Sequence, residues 1–229
     1  MDNPTRACVL GATGTTLANM LIASISGIRG TVGGKAGEGL SPADVVTFTS
    51  GYGAWVREQA PNKTRPTVVV GRDARISGPW VRDLVCGTLN ALGIDVVDVG
   101  LSTTPTVELA VPGLDADGGI ILTASHNPRE WNALKLLDAT GEFLSAEAGE
   151  RALELAREGV TYVNVEQTGT TARDERWLEK HVDHVLDLEL VDPEAIRRAG
   201  LKVAVDAVNS SGGLAAVSYT HLRAHETDR

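Results

Sequence analysis

The feature that most constrains this chain is a repeated handover. Short apolar or β-branched runs end in glycine-bearing polar segments, and stretches with helical periodicity separate them. "PTVVVGRD" at 66–73, "IDVVDVG" at 94–100 and "ADGGIILTAS" at 116–125 read as strands of a buried sheet, and "NALKLLD" at 132–138 as a fourth. Ser41, Pro42 and Asp44 open a helix whose buried stripe is Val45, Phe48, Tyr52 and Trp55. Ser77 caps a second, with Val81, Leu84, Val85, Leu89 and Leu92 as its stripe and Gly93 as its stop. "TPTVELAV" reads as a short helix and "SAEAGERALELAREG", capped by Ser145, as a longer one. Strands alternating with helices at this spacing predict an α/β chain, a three-layer α/β/α domain with a mixed sheet.

The pattern suggests an organisation for all 229 residues. Residues 20–165 form the first domain, 166–200 a polar helical connector, and 201–217, which opens with "LKVAVDAVNSSGG", the truncated start of a second, similar α/β domain. Residues 1–19 and 218–229 break the pattern and read as non-native extensions. The "GATGTT" within the first lacks both the third glycine of a dinucleotide loop and the lysine of a P-loop. His221 and His225 in the second have helical metal-ligand spacing without supporting carboxylates.

Composition excludes some classes of function. A formal net charge of −9 leaves no basic stripe to release counterions from nucleic acid. No apolar run approaches the roughly 18 residues of a membrane span. Cys8 and Cys86 fit neither a disulfide framework nor a metal spacing, which suits a reducing, cytoplasmic setting.

Chemistry concentrates in three glycine-bearing polar segments read as loops after strands: "SGIRGT" at 26–31, "GRDARISG" at 71–78 and "TASHNP" at 123–128. Strand ends of one polarity gather at one edge of an α/β sheet, so the three are expected to converge. Arg29, Arg72 and Arg75 offer planar forks for phosphate or carboxylate. Ser125 offers a hydroxyl held by an apolar strand, with Asn127 and Pro128 fixing the loop. Such a hydroxyl suits a nucleophile or a covalent carrier, and the same residues equally suit a plain strand-to-turn junction. Lys135, flanked by leucines, must reach a polar edge or lose solvation, which would lower its pKa; an open edge-strand face is the alternative. Asp73, Asp115 and Asp117 are of the type that ligates a hard cation, or are solvated loop residues.

Together these segments resemble the α-D-phosphohexomutases. "TASHNP" is similar to that family's active-site serine loop, "SGIRG" at 26–30 to its N-terminal arginine loop, and "NALK" at 132–135 to its asparagine-to-lysine segment. The resemblance covers about residues 20–214. It implies a phosphoserine at Ser125 that exchanges a phosphoryl group with a hexose 6-phosphate through a 1,6-bisphosphate, which also serves as activator. Arg29 and Lys135 are then acid-base or phosphate-orienting groups and His126 supports the transferred phosphate. Arg72, Arg75, Asn127 and Asn132 are candidates for binding the phosphosugar. Magnesium would bind the phosphate of Ser125.

The family's aspartate-rich metal loop is not in these residues, so the resemblance also implies an incomplete magnesium site and an inactive fragment. "TASHNPREWNALKLL" is closest in character to the phosphoglucosamine mutases, with phosphomannomutase and phosphoglucomutase near. Two rivals stand beside the mutase: a serine hydrolase using Ser125 and His126, and a non-catalytic phosphosugar-binding module.

Overall fold

The computed structural model describes residues 20–24 and 27–217. The readings placed on 1–19 and 218–229, including Cys8, "GATGTT", His221 and His225, lie outside the described residues. Seven strands form one sheet in the order β1-β2-β6-β5-β3-β4-β7. They are β1 (Leu21–Ser24), β2 (Gly27–Thr31), β3 (Thr67–Arg72), β4 (Asp95–Leu101), β5 (Gly118–Leu122), β6 (Trp131–Leu137) and β7 (Thr171–Arg173). β5, β3, β4 and β7 pair in parallel, and β6, β2 and β1 add on antiparallel, so the sheet is mixed.

The continuous apolar runs are explained by burial on both faces. In β3, Val68 and Val70 face one core and Val69 the other, all three fully buried. The first core is closed by α1 (Pro42–Gln59), α2 (Gly78–Ala91) and α4 (Ala146–Glu158), through Val45, Tyr52, Val56, Val81, Val85, Leu89 and Leu153. The second lies under α3 (Thr104–Gly113) and α5 (Trp177–Leu186), through Val107, Ala110, Val111 and Trp177. α1 begins with the cap that its sequence announces: the Ser41 hydroxyl accepts from Asp44 N at 3.3 Å, and Asp44 Oδ2 accepts from Ser41 N at 3.0 Å.

Four local expectations need correction. Gly27–Thr31 is not a loop but strand β2, because its backbone completes ladders with β1 and β6. Ser77 stands at the N-cap of α2 without a side-chain cap bond, since its hydroxyl accepts instead from the buried Asn132 amide at 2.9 Å. The stretch 166–200 is more than a connector: β7 extends the sheet beside β4, and Trp177 of α5 packs in the core beneath α3. Residues 201–207 form no strand, and Val203 and Val205 are exposed, because no neighbouring strand among the described residues offers them a ladder.

α5 carries one pH-sensitive contact. His181 Nδ1 lies 2.9 Å from the fully buried Thr106 hydroxyl of α3. Desolvation, then the nearby His184, hold the imidazole below its ordinary value of 6.5. The unfolded chain therefore binds the proton more readily than the folded one. Its contribution to stability is complete above the ordinary pKa and is lost as pH falls toward the lowered folded value. Chemical denaturation at stepped pH should show stability falling on acidification across that window, with a shallower fall in His181→Gln.

Candidate active site

β5 ends at Leu122, and the chain turns through "TASHNP" before returning as β6. Ser125 occupies the left-handed region at φ 54°, a conformation that a non-glycine residue holds only when its surroundings impose it. The imposing contacts are visible. Ser125 N donates to Thr123 Oγ1 at 3.1 Å, and that hydroxyl donates to Asp73 Oδ2 at 2.7 Å. Asn127 N closes the turn onto Ala124 O at 3.0 Å.

Arg75 supplies the rest. Its Nε donates to Asp73 Oδ2 at 3.1 Å, and its two terminal nitrogens donate to the carbonyls of Pro128 (2.8 Å), Trp131 (2.9 Å), Ser125 (2.8 Å) and Asn127 (2.9 Å). Five bonds exhaust the donors of a guanidinium. Arg75 therefore clamps the serine loop from the segment between β3 and α2, and no fork is left over for a ligand.

Outside the clamp, Ser125 and His126 are exposed. They line a cleft of about 700 Å³ with Arg29, Asn127, Lys135 and Phe143. The sheet register explains the grouping. Arg29 pairs with Ala133, one row beyond the Ile28–Leu134–Leu122 row, and Lys135 shares the Ala133 face of β6. Arg29 and Lys135 thus project on one side of the sheet beside the serine loop, and a cation pair faces a presented hydroxyl. Lys135 reaches this polar edge with Nζ 5.6 Å from the Phe143 ring centroid. Ser125 Oγ to His126 Nδ1 is 3.5 Å, at the outer limit of a hydrogen bond.

The other candidates lie elsewhere. Asn132 is fully buried on the opposite face, where its amide donates to Ser77 and its carbonyl oxygen accepts from Ala133 N at 2.8 Å. Arg72 donates to the Asp73 carbonyl at 3.1 Å, beside Gly78 at the start of α2. Asp115 and Asp117 precede β5, at the sheet edge away from the serine loop, and pair with Lys63 at 3.9 and 3.0 Å. Asp73 is engaged by Arg75 and Thr123. Among the described residues no group of three His, Cys, Asp or Glu side chains converges as a metal site.

Ser24 and Leu144 also line the cleft, and both lie outside the three polar segments that the sequence marks. The only local signal was the β-branched and turn patterning around them, which shows burial but not which cavity a residue borders.

The geometry can be set beside known proteins. A family model described as phosphoglucomutase/phosphomannomutase, alpha/beta/alpha domain I, matches residues 21–162. A phosphoglucomutase/phosphomannomutase of Thermococcus kodakarensis is 35% identical over 184 residues, 80% of this chain and 39% of that protein. A probable phosphoglucosamine mutase of Methanopyrus kandleri is 37% identical, over 80% of this chain and 37% of its own length. A phosphoglucosamine mutase of Thermobifida fusca is 34% identical, over 84% and 41%. Among solved structures, a putative phosphomannomutase from Thermus thermophilus superposes with a TM-score of 0.59 at 27% identity, covering 76% of this chain and 38% of that one. The chain spans about two fifths of the length of the curated relatives it matches. On the match over residues 21–162, this chain belongs to the phosphoglucomutase/phosphomannomutase family and carries its α/β/α domain I.

Proposed function

We propose that this chain is the phosphoserine-bearing part of a phosphohexomutase, with a hexosamine phosphate as substrate. The observation that carries the reading is the exposed Ser125 hydroxyl on a clamped left-handed turn, sharing one cleft with Arg29 and Lys135. A phosphoryl group on Ser125 would pass to the hydroxyl of a hexose 6-phosphate: the Ser Oγ–P bond breaks, a sugar O–P bond forms, the hydroxyl proton leaves to a base in the cleft, and Ser Oγ takes up a proton in its place. The resulting 1,6-bisphosphate turns over and returns its other phosphate to Ser125. Phosphoryl transfer asks the protein mainly for positioning and charge neutralisation. Arg29 and Lys135 supply charge, and His126 and Asn127 border the phosphate at the serine loop.

Magnesium accompanies the reading as a further source of positive charge. The described residues do not fit a magnesium site, because beyond a phosphate on Ser125 they offer no converging ligand set. The preference for a hexosamine rests on the relatives from Methanopyrus kandleri and Thermobifida fusca, both named as phosphoglucosamine mutases.

Peptide mass spectrometry after incubation with glucose 1,6-bisphosphate and Mg²⁺ tests the assignment. One phosphoryl group is expected on the Ser125 peptide, and none at that position in Ser125→Ala, which has no hydroxyl to carry it. Bisphosphate bound with Ser125 unmodified would favour a binding module. Fluorophosphonate labelling that disappears in Ser125→Ala would favour a hydrolase.

A further inference from the structure

Phe143 is the cleft residue least explained by phosphoryl transfer. The residue is 43% exposed, yet its backbone is tied to β6. Phe143 bridges Leu137 of β6, and Leu144 N donates to Leu136 O at 3.1 Å. The turn before it is tied by Asp138, whose Oδ1 accepts from Thr140 N at 2.8 Å, Thr140 Oγ1 at 2.6 Å and Glu142 N at 3.3 Å. Gly141, at φ 84°, lets that turn press on α3: a Cβ there would stand 2.2 Å from the Glu108 carbonyl oxygen. A rigid turn therefore aims a phenyl ring at solvent beside Arg29, Lys135 and Ser125.

We propose that Phe143 is the surface on which the pyranose ring of the phosphosugar rests, its C–H face against the phenyl ring, while Arg29 and Lys135 hold phosphate. The inference deepens the phosphohexomutase reading and rests on it. A sugar phosphate divides chemically as this cleft does, with an anion at one end and a ring whose axial C–H bonds form an apolar face. Contact between such a face and an arene is non-directional. A ring that must bind in two opposite orientations, presenting C1 and then C6 to the same serine, is served by such a platform. Directional hydrogen bonds from the same position would select one orientation.

The chain contains two phenylalanines, and the other, Phe48, packs against the core beneath α1, so phenyl signals can be separated. In a deuterated chain with protonated phenylalanine, bound glucosamine 6-phosphate should give intermolecular NOEs between pyranose C–H hydrogens and the Phe143 ring. Phe143→Ala should weaken that ligand about fivefold, the order of a lost aromatic contact, while inorganic phosphate, which has no ring, binds within about twofold of wild type. Phe143→Trp should restore affinity. Glucosamine 6-phosphate that binds without these NOEs and equally well to Phe143→Ala overturns the inference alone, and so does an equal loss for both ligands. Binding of neither ligand to the wild-type chain overturns the phosphosugar reading and this inference with it.

Discussion

Arg75→Ala is expected to lose about 3–5 kcal/mol of folding stability, the cost of removing one member of a nearly buried hydrogen-bonded ion pair. Arg75 is 11% exposed in its side chain and its partner Asp73 15%. Truncation strands that carboxylate and unties the carbonyls of Ser125, Asn127, Pro128 and Trp131 together. Ser125 then has less to hold it at positive φ, so phosphorylation should fall alongside stability. Arg75→Lys separates charge from geometry. An ammonium presents its donors from a single nitrogen and cannot reach four carbonyls arranged around a planar fork. Lysine should recover less than half of the lost stability, read from urea midpoints, while amide exchange over 124–131 stays faster than in wild type.

Gly51→Val is the second large effect. Where α1 crosses α4, a Cβ on Gly51 would stand 2.4 Å from the Ala152 carbonyl oxygen and 2.7 Å from Ala156 N. Those atoms are helix backbone and cannot swing aside, so the two helices must part. A loss of about 3 kcal/mol or more is expected, the upper end of overpacking costs. Gly53→Ala, on the same helix, meets the Leu92 side-chain end at 2.5 Å and should cost less, because a leucine can change rotamer. Gly87→Ala in α2 meets nothing within 4 Å and should stabilise by up to about 1 kcal/mol through helix propensity. Thermal melts of the three variants give the comparison, and similar losses at all three would refute the backbone argument.

These contrasts show what sequence makes legible. The strands β3, β4 and β5 and the cap of α1 follow from local chemistry: β-branched runs that suit burial on both faces, and a Ser-Pro-x-Asp opening that satisfies its own free amides. Ser125, His126, Asn127, Arg29 and Lys135 line one cleft, brought there by strands β2 and β6 and the turn after β5. Arg75 does not yield to the same reasoning. A fork that grips phosphate and one that grips carbonyls far along the chain look alike in sequence, and only the register of β3 against β5 decides between them. Asn132 is similar: whether it faces ligand or Ser77 depends on the parity of its position in β6. The "SGIRGT" segment reads as a loop for its glycines, while its partners in β1 and β6 make it a strand. Trp177 gives no sign in sequence that α5 belongs to the first domain, since the core it enters is built from residues far earlier in the chain.

The clamp on the serine loop has a kinetic consequence. Arg75 joins the segment after β3 to carbonyls 50 to 56 residues downstream. Contacts of such sequence separation pay loop-closure entropy before they return anything. The clamp on the left-handed turn at Ser125 is therefore complete only once β6 has joined the sheet through Trp131, and full presentation of the hydroxyl is a late event in folding. During synthesis Asp73, Arg75 and Thr123 are already in the chain when the serine emerges, and the carbonyls of Pro128 and Trp131 complete the clamp a few residues later.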